Sequence, residues 1–193
     1  MKKKLILLLS AFLLPIMGGC ASHPSHFYIL SSAAQMTPQE FNHTILIAPV
    51  SIPSIADRSQ LVTRADENQV KIDDLNLWAA PLKAEIARVT AENLTMSLTH
   101  ARVITPGILP EGEAYYRIRI NLTRFEAVFG EKAVLDALWN IQHSERGTIC
   151  SGKTTMEETI TDADYGALVS AYNRLLARLS EDIAQGLLGE EVP

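Results

Sequence analysis

A strictly alternating segment near the middle of the chain is the sequence feature that most constrains the fold. Every second side chain is apolar over eight residues: Tyr116, Ile118, Ile120 and Leu122. Because side chains of a β-strand point alternately to opposite faces, this pattern predicts a strand with one buried face. The alternation changes phase near Arg124, which predicts a β-bulge. A turn at 130–132 then leads to a return strand, and a third strand is predicted over about 146–159.

Two other segments show helical periodicity. The first is predicted from Trp78 to Thr99, with Pro81 in its first turn. The second is predicted from about Ala163 to Leu188, and its apolar stripe consists of Leu168, Tyr172, Leu175, Leu179, Ile183 and Leu187. Strands are also predicted at 27–30 and 44–50, followed by a hairpin over 61–72. This order predicts an α+β fold, an antiparallel or mixed sheet with two long helices packed against it.

The N-terminus has the layout of an export signal. Lys2, Lys3 and Lys4 precede an apolar run from Leu5 to Met17, which ends at Gly18-Gly19-Cys20. Roughly 13 apolar residues make about 20 Å of helix, whereas a bilayer core is about 30 Å thick, so the run predicts a signal peptide and not a membrane span. The small residues before Cys20 resemble a bacterial lipobox, which implies cleavage before Cys20 and a lipid on its sulfur. An ordinary signal peptide with a chance cysteine is the alternative.

These features divide the chain into residues 1–19 as a lipoprotein-type signal peptide, 20–26 as a lipidated tether and 27–193 as a single periplasmic α+β domain. Ala21 stands directly after the cysteine, where lipoprotein sorting signals of the retention type have Asp. By that resemblance, Ala21 favours the outer membrane. Removing the leader removes three lysines and changes the formal net charge from −5 to −8. This negative charge argues against a general nucleic-acid-binding surface.

Residues 147–154 fit the phosphate-loop pattern G-x-x-x-x-G-K-T. A phosphate loop needs a helix beginning at Lys153-Thr154, but the following segment is rich in Thr and has no apolar helical stripe. Glu157 and Glu158 would also repel a phosphate. We therefore expect a β-strand with a glycine at a bend, and no nucleotide partner. The histidines and cysteines have no metal-ligand spacing, and no nucleophile has catalytic partners, so the sequence predicts no enzyme and no cofactor besides the lipid on Cys20.

The segment 52–64 is the candidate interface. Asp57, Arg58, Gln60 and Arg64 lie in it, and Trp78 is a further candidate because Arg and Trp are favoured at contact surfaces. Two interpretations stay open. One is a loop with a local Asp57–Arg58 interaction, and the other is a contact with a subunit or a partner.

A family resemblance rests on four segments, 27–30, 47–53, 57–64 and 78–82. Their sequences are Phe-Tyr-Ile-Leu, Ile-Ala-Pro-Val-Ser-Ile-Pro, Asp-Arg-Ser-Gln-Leu-Val-Thr-Arg and Trp-Ala-Ala-Pro-Leu. They resemble the PqiC/YmbA family of auxiliary lipoproteins of ABC-type and MCE (mammalian cell entry) transport systems. The resemblance implies a non-enzymatic outer-membrane lipoprotein that pairs with a periplasm-spanning MCE-domain protein in lipid transport. A homo-oligomeric ring is a further expectation. The alternative function is a periplasmic lipid-binding carrier with its own apolar cavity.

Overall fold

Two helices and a mixed sheet form the part of the chain that the computed structural model describes, residues 23–105 and 112–189. The strands are β1 His26–Tyr28, β2 Gln39–Glu40, β3 Thr44–Ile47, β4 Gln60–Arg64, β5 Val70–Trp78, β6 Leu98–Thr99, β7 Arg102–Ile104, β8 Tyr115–Val128, β9 Lys132–His143 and β10 Gly147–Thr159. The helices are α1 Leu82–Ser97 and α2 Tyr165–Leu188. The predicted α+β fold is confirmed. The signal peptide and Cys20 lie outside the described residues.

The long strand β8 organises the main sheet. One edge of β8 pairs antiparallel with β9, and the far edge of β9 pairs antiparallel with β10, so the three strands form a meander. Along its other edge, the first half of β8 pairs in parallel with β3, and its end meets β4 at Val128. Strand β7 adds to β3, whereas β5 and then β1 add to β4. A register shift lies between Leu122 and Arg124, so the predicted bulge is confirmed.

The core lies between the two helices and one face of the sheet. Every residue of the predicted α2 stripe is buried: Leu168, Tyr172, Leu175, Leu179, Ile183 and Leu187. The Tyr172 ring stacks on Phe125 of β8 with 4.1 Å between centroids. Helix α2 begins after Asp164, whose carboxylate accepts a hydrogen bond from the backbone N–H of Ala167 at 2.8 Å. This capping bond satisfies one of the unpaired donors of the first turn.

The first helix begins four residues later than the sequence pattern predicts, and this prediction is wrong at its start. Trp78 is the last residue of β5, and its backbone N–H donates to the carbonyl of Ser59 at 2.7 Å. The helix follows Pro81, which has an extended ψ of 122°. A proline disfavours helical geometry in the residue before it, so the helix cannot extend back through Ala80 to Trp78.

Candidate docking surface

The strands β1, β5 and β4 present an outer face, which is turned away from the helices. Leu61 and Thr63 of β4 are buried, so the intervening Gln60, Val62 and Arg64 point outward. The register places Leu77 opposite Gln60, Ile72 opposite Val62 and Val70 opposite Arg64. Phe27 of β1 lies opposite Leu77. One face of three adjacent strands therefore consists mainly of apolar side chains.

Most of the exposed apolar side chains of the described residues lie in the strands of this β1–β5–β4 face or in segments next to them. Nine large apolar side chains are exposed in residues 23–105 and 112–189, and six belong to these strands or the segments next to them: Phe27, Ile29, Ile55, Val70, Ile72 and Leu75. Gathered apolar exposure of this kind marks a surface that contacts a partner or a membrane. The candidate functional site is therefore a contact surface.

Two of the predicted interface residues lie in the loop before β4. The Asp57 carboxylate pairs with Lys83 of α1 at 2.6 Å, so the local Asp57–Arg58 interaction is not the one that forms. The Nε atom of Arg58 is buried and has no hydrogen-bond acceptor among the described residues. A buried donor without an acceptor is costly in the isolated domain.

Arg64 is already engaged within the domain. Its Nε donates to Glu126 of β8 at 2.7 Å, and its Nη1 donates to the backbone carbonyl of Glu67 in the hairpin turn at 2.9 Å. Burial of Glu126 opposes its ionisation, but hydrogen bonds from Arg124 and Arg64 outweigh burial and hold the pKa of Glu126 below its usual value. Arg64 therefore lies at the edge of the face and joins β4 to β8 there.

Trp78 lies under the face and is only 6% exposed. Its ring lies 6.3 Å from that of Tyr172, which places it in the core. Trp78 and Tyr172 also line a cavity of about 60 Å³, together with Ile55, Leu61, Phe125 and other residues of this region. Pockets that enclose small-molecule ligands usually measure about 300–1,000 Å³, so this cavity is far too small for an acyl chain.

The phosphate-loop pattern lies in β10, which confirms the predicted strand. Gly152 lies opposite Trp139 of β9, and a Cβ atom at Gly152 would overlap three atoms of the indole ring. Trp139 Nε1 donates to the Thr154 hydroxyl at 3.1 Å, and this hydroxyl donates to Asp182 of α2 at 2.5 Å. Lys153 points to solvent. The glycine of this pattern is thus needed for packing against a tryptophan.

Two further features concern possible ligands and membrane spans. In residues 23–105 and 112–189, no group of three or more His, Cys, Asp or Glu side chains is arranged to hold a metal ion. Neither α1 nor α2, the helices of that same part of the chain, is long and apolar enough to cross a membrane.

The fold and the exposed face together define an α+β domain with an apolar outer surface on three strands. A family model described as the ABC-type transport auxiliary lipoprotein component matches residues 28–184. The chain therefore belongs to this family of auxiliary lipoproteins, and the resemblance drawn from the sequence is confirmed.

Named relatives agree with this assignment. The chain is 23% identical over 190 residues to the intermembrane transport lipoprotein PqiC of Escherichia coli K12, covering 96% of this chain and 97% of the relative. The same protein of Shigella flexneri matches equally. These relatives are named as transport lipoproteins and not as enzymes. A solved structure of an uncharacterised protein has the same fold, with a TM-score of 0.70 at 20% identity over 84% of this chain and 98% of that one. A Xanthomonas campestris protein follows with a TM-score of 0.66 at 16% identity, over 84% and 95% of the two chains.

Sequence reasoning missed most of the apolar face. Val70 and Ile72 alternate with Lys71 and Asp73, which indicates a strand but not which of its sides is buried. The core-facing position in this strand is that of Asp73, which accepts a hydrogen bond from the Tyr165 hydroxyl at 2.9 Å. Val70 and Ile72 therefore lie on the outer side of the strand and are exposed.

Proposed function

We propose that this protein is an outer-membrane lipoprotein, anchored through Cys20, that docks the periplasm-spanning MCE-domain protein of an intermembrane transport system. The docking face consists of Gln60, Val62, Arg64, Val70 and Ile72. The observation that carries the proposal is the exposed apolar surface of a domain whose family serves as an auxiliary component of transporters.

The composition of the docking face supports a protein partner. Val62 and Ile72 form a cross-strand pair at its centre, and Ile72 is 40% exposed. Arg64 lies at its edge, braced by Glu126, and the buried Nε of Arg58 lies in the loop before it. An apolar centre with arginine at the margin is typical of surfaces that bind another protein.

The carrier alternative has less support from the geometry. A carrier must enclose at least one acyl chain in a dry apolar cavity. The cavity beneath the candidate site has a volume of about 60 Å³, which is enough for only a few water-sized molecules. The surface depression beside Leu138 measures about 550 Å³, but it is open to solvent and Arg119, Asn121 and Asn140 interrupt its apolar lining.

The anchor is tested by replacing its acceptor residue. Cys20→Ala removes the only sulfur available for the thioether at the lipobox. We expect labelled palmitate incorporation to be lost and the domain to leave the outer-membrane fraction. Cys150→Ala is the matched control and should retain both the label and the membrane fraction. Palmitate incorporation that persists in Cys20→Ala would refute the lipoprotein assignment.

Docking is tested by charge substitution at two exposed apolar sites of the same sheet. Ile72→Asp places a carboxylate at the centre of the docking face, whereas Leu138→Asp does so on β9, where Leu138 is 48% exposed. We expect crosslinking to the MCE protein to fall at least tenfold in Ile72→Asp and to stay unchanged in Leu138→Asp. Native mass spectrometry of each variant, with and without the MCE protein, separates loss of the partner from loss of a ring of identical subunits.

A further inference from the structure

The beginning of the domain is fixed firmly to its body. Strand β1 pairs in parallel with β5, and three side chains of the two helices hold the residues after it: Arg88, Asn93 and Asn173. Arg88 donates to the Leu30 carbonyl at 2.6 Å, and the Asn93 carbonyl oxygen accepts from the backbone N–H groups of residues 33 and 34. Any force on the chain before β1 is therefore transmitted to the whole domain.

The end of the β1–β5–β4 face nearest the N-terminus is also its most exposed part. Phe27 is 65% exposed and Ile29 is 56% exposed, whereas Leu30, the next residue along the chain, is fully buried. Leu75 of β5 is 40% exposed and lies two residues before Leu77, the partner of Phe27 in the register. By contrast, the exposed Leu138 of β9 lies opposite Asn121 and Lys153, so it is an isolated apolar residue among polar ones.

Covalent connectivity limits how far this end lies from the anchor. Phe27 is seven residues after Cys20, and seven residues span at most about 25 Å when fully extended. The far end of the docking face is Val70, which lies seven residues along β5 from Leu77, at most about 23 Å at 3.3 Å per residue. The two ends of the apolar face can therefore contact different surfaces.

We propose that Phe27, Ile29 and Leu75 form a membrane-contact patch that rests on the lipid surface to which Cys20 is attached and holds the domain in one orientation. This inference rests on the proposed lipid anchor. Apolar side chains at the bilayer surface leave water for the acyl boundary, and a covalent chain nearby raises their local concentration at that surface. The rigid hold on residues 30–34 then fixes the direction in which the docking face points.

The test uses the mature lipidated protein in phosphatidylethanolamine–phosphatidylglycerol vesicles whose acyl chains carry bromine, a short-range quencher of tryptophan. Phe27→Trp and Leu75→Trp place reporters on two strands of the patch. Met96→Trp on α1 is the matched control, since Met96 is 53% exposed but belongs to the helical layer. The native Trp78 and Trp139 are buried and supply a constant background. Flotation with the vesicles, measured on the same samples, reports the anchor separately.

We expect all variants to float and both patch reporters to lose at least half of their added emission, while Met96→Trp loses less than a tenth. Flotation without quenching at either patch position would overturn the patch and leave the anchor intact. Equal quenching at all three positions would also overturn it, because the domain would then have no fixed orientation. A blue-shifted but unquenched Phe27→Trp would show that protein covers the patch, which contradicts the inference. Failure to float would refute the anchor and the patch together.

Discussion

Gly152→Ala is the substitution for which opposing physical effects predict opposite results. In a β-strand, replacing Gly by Ala ordinarily stabilises by about 0.5–1 kcal/mol, because Gly loses more conformational freedom on folding. Here the added Cβ would lie less than 3.0 Å from three atoms of the Trp139 ring. The ring cannot retreat freely, since Gly186 packs against it from α2, where a Cβ would lie 3.0 Å from the ring.

The packing effect should win. Overpacking of this kind costs about 1–3 kcal/mol. A displaced ring also loses the hydrogen bond from Trp139 Nε1 to Thr154, which contributes about 1 kcal/mol. After the gain from Ala is subtracted, the net loss is about 1–3.5 kcal/mol. For a domain of this size, this lowers the melting temperature by about 2–14 °C.

Thermal unfolding of the detergent-solubilised mature protein, followed by circular dichroism, measures this loss. Lys153→Ala is the neighbouring control, and because Lys153 is exposed its stability should change by less than about 0.5 kcal/mol. In the double variant Gly152→Ala/Trp139→Phe the smaller ring makes room for the Cβ. Its loss of unfolding free energy should therefore be smaller than the sum of the losses in the two single variants. A higher melting temperature in Gly152→Ala would refute the packing explanation. A rise of about 2.7 kcal/mol in the free energy of unfolding with ATP at 100 times its Kd would instead restore the phosphate-loop interpretation, provided that Lys153→Ala abolishes the rise.

Three further predictions concern the supports of the domain. Asp164→Ala removes the cap of α2 and should cost about 0.5–2 kcal/mol in urea unfolding, whereas Asp162→Ala should be neutral; equal effects would contradict the capping role. Asn93→Ala leaves two backbone N–H groups without their acceptor and should cost about 1–3 kcal/mol, with faster amide exchange at residues 33 and 34, and unchanged exchange there would refute the role of Asn93. Burial of Asp73 opposes its ionisation, but hydrogen bonds from Asn76, Tyr165 and backbone N–H groups outweigh burial and hold its pKa well below the usual value. Its stabilising effect is therefore complete above about pH 4 and is lost as pH falls further, so the stability difference between wild type and Asp73→Asn should shrink below pH 4; a difference independent of pH would contradict this.

Local sequence patterns are sufficient to predict the elements with strong periodicity. The α2 stripe and the alternation of β8 each specify both an element and its buried face, because their apolar sides are continuous and their other sides polar. The bulge near Arg124 was also readable, since a change of phase is a local signal. The family resemblance came from short segments of the same kind.

The side of β5 that faces the core depends on contacts that form only in the folded domain. Local sequence shows that Val70 and Ile72 share one side and Asp73 the other, and burial of the apolar side is the ordinary expectation. The structure reverses it, because Tyr165 of α2, 92 residues away, donates to Asp73 and satisfies its charge on the inner side. It likewise pairs Arg64 with Glu126, so that a residue predicted to form or brace an interface already has a partner within the domain. Partners so distant in the chain leave no periodic signal near the residues they bind, and the exposed apolar face therefore becomes visible only in the folded domain.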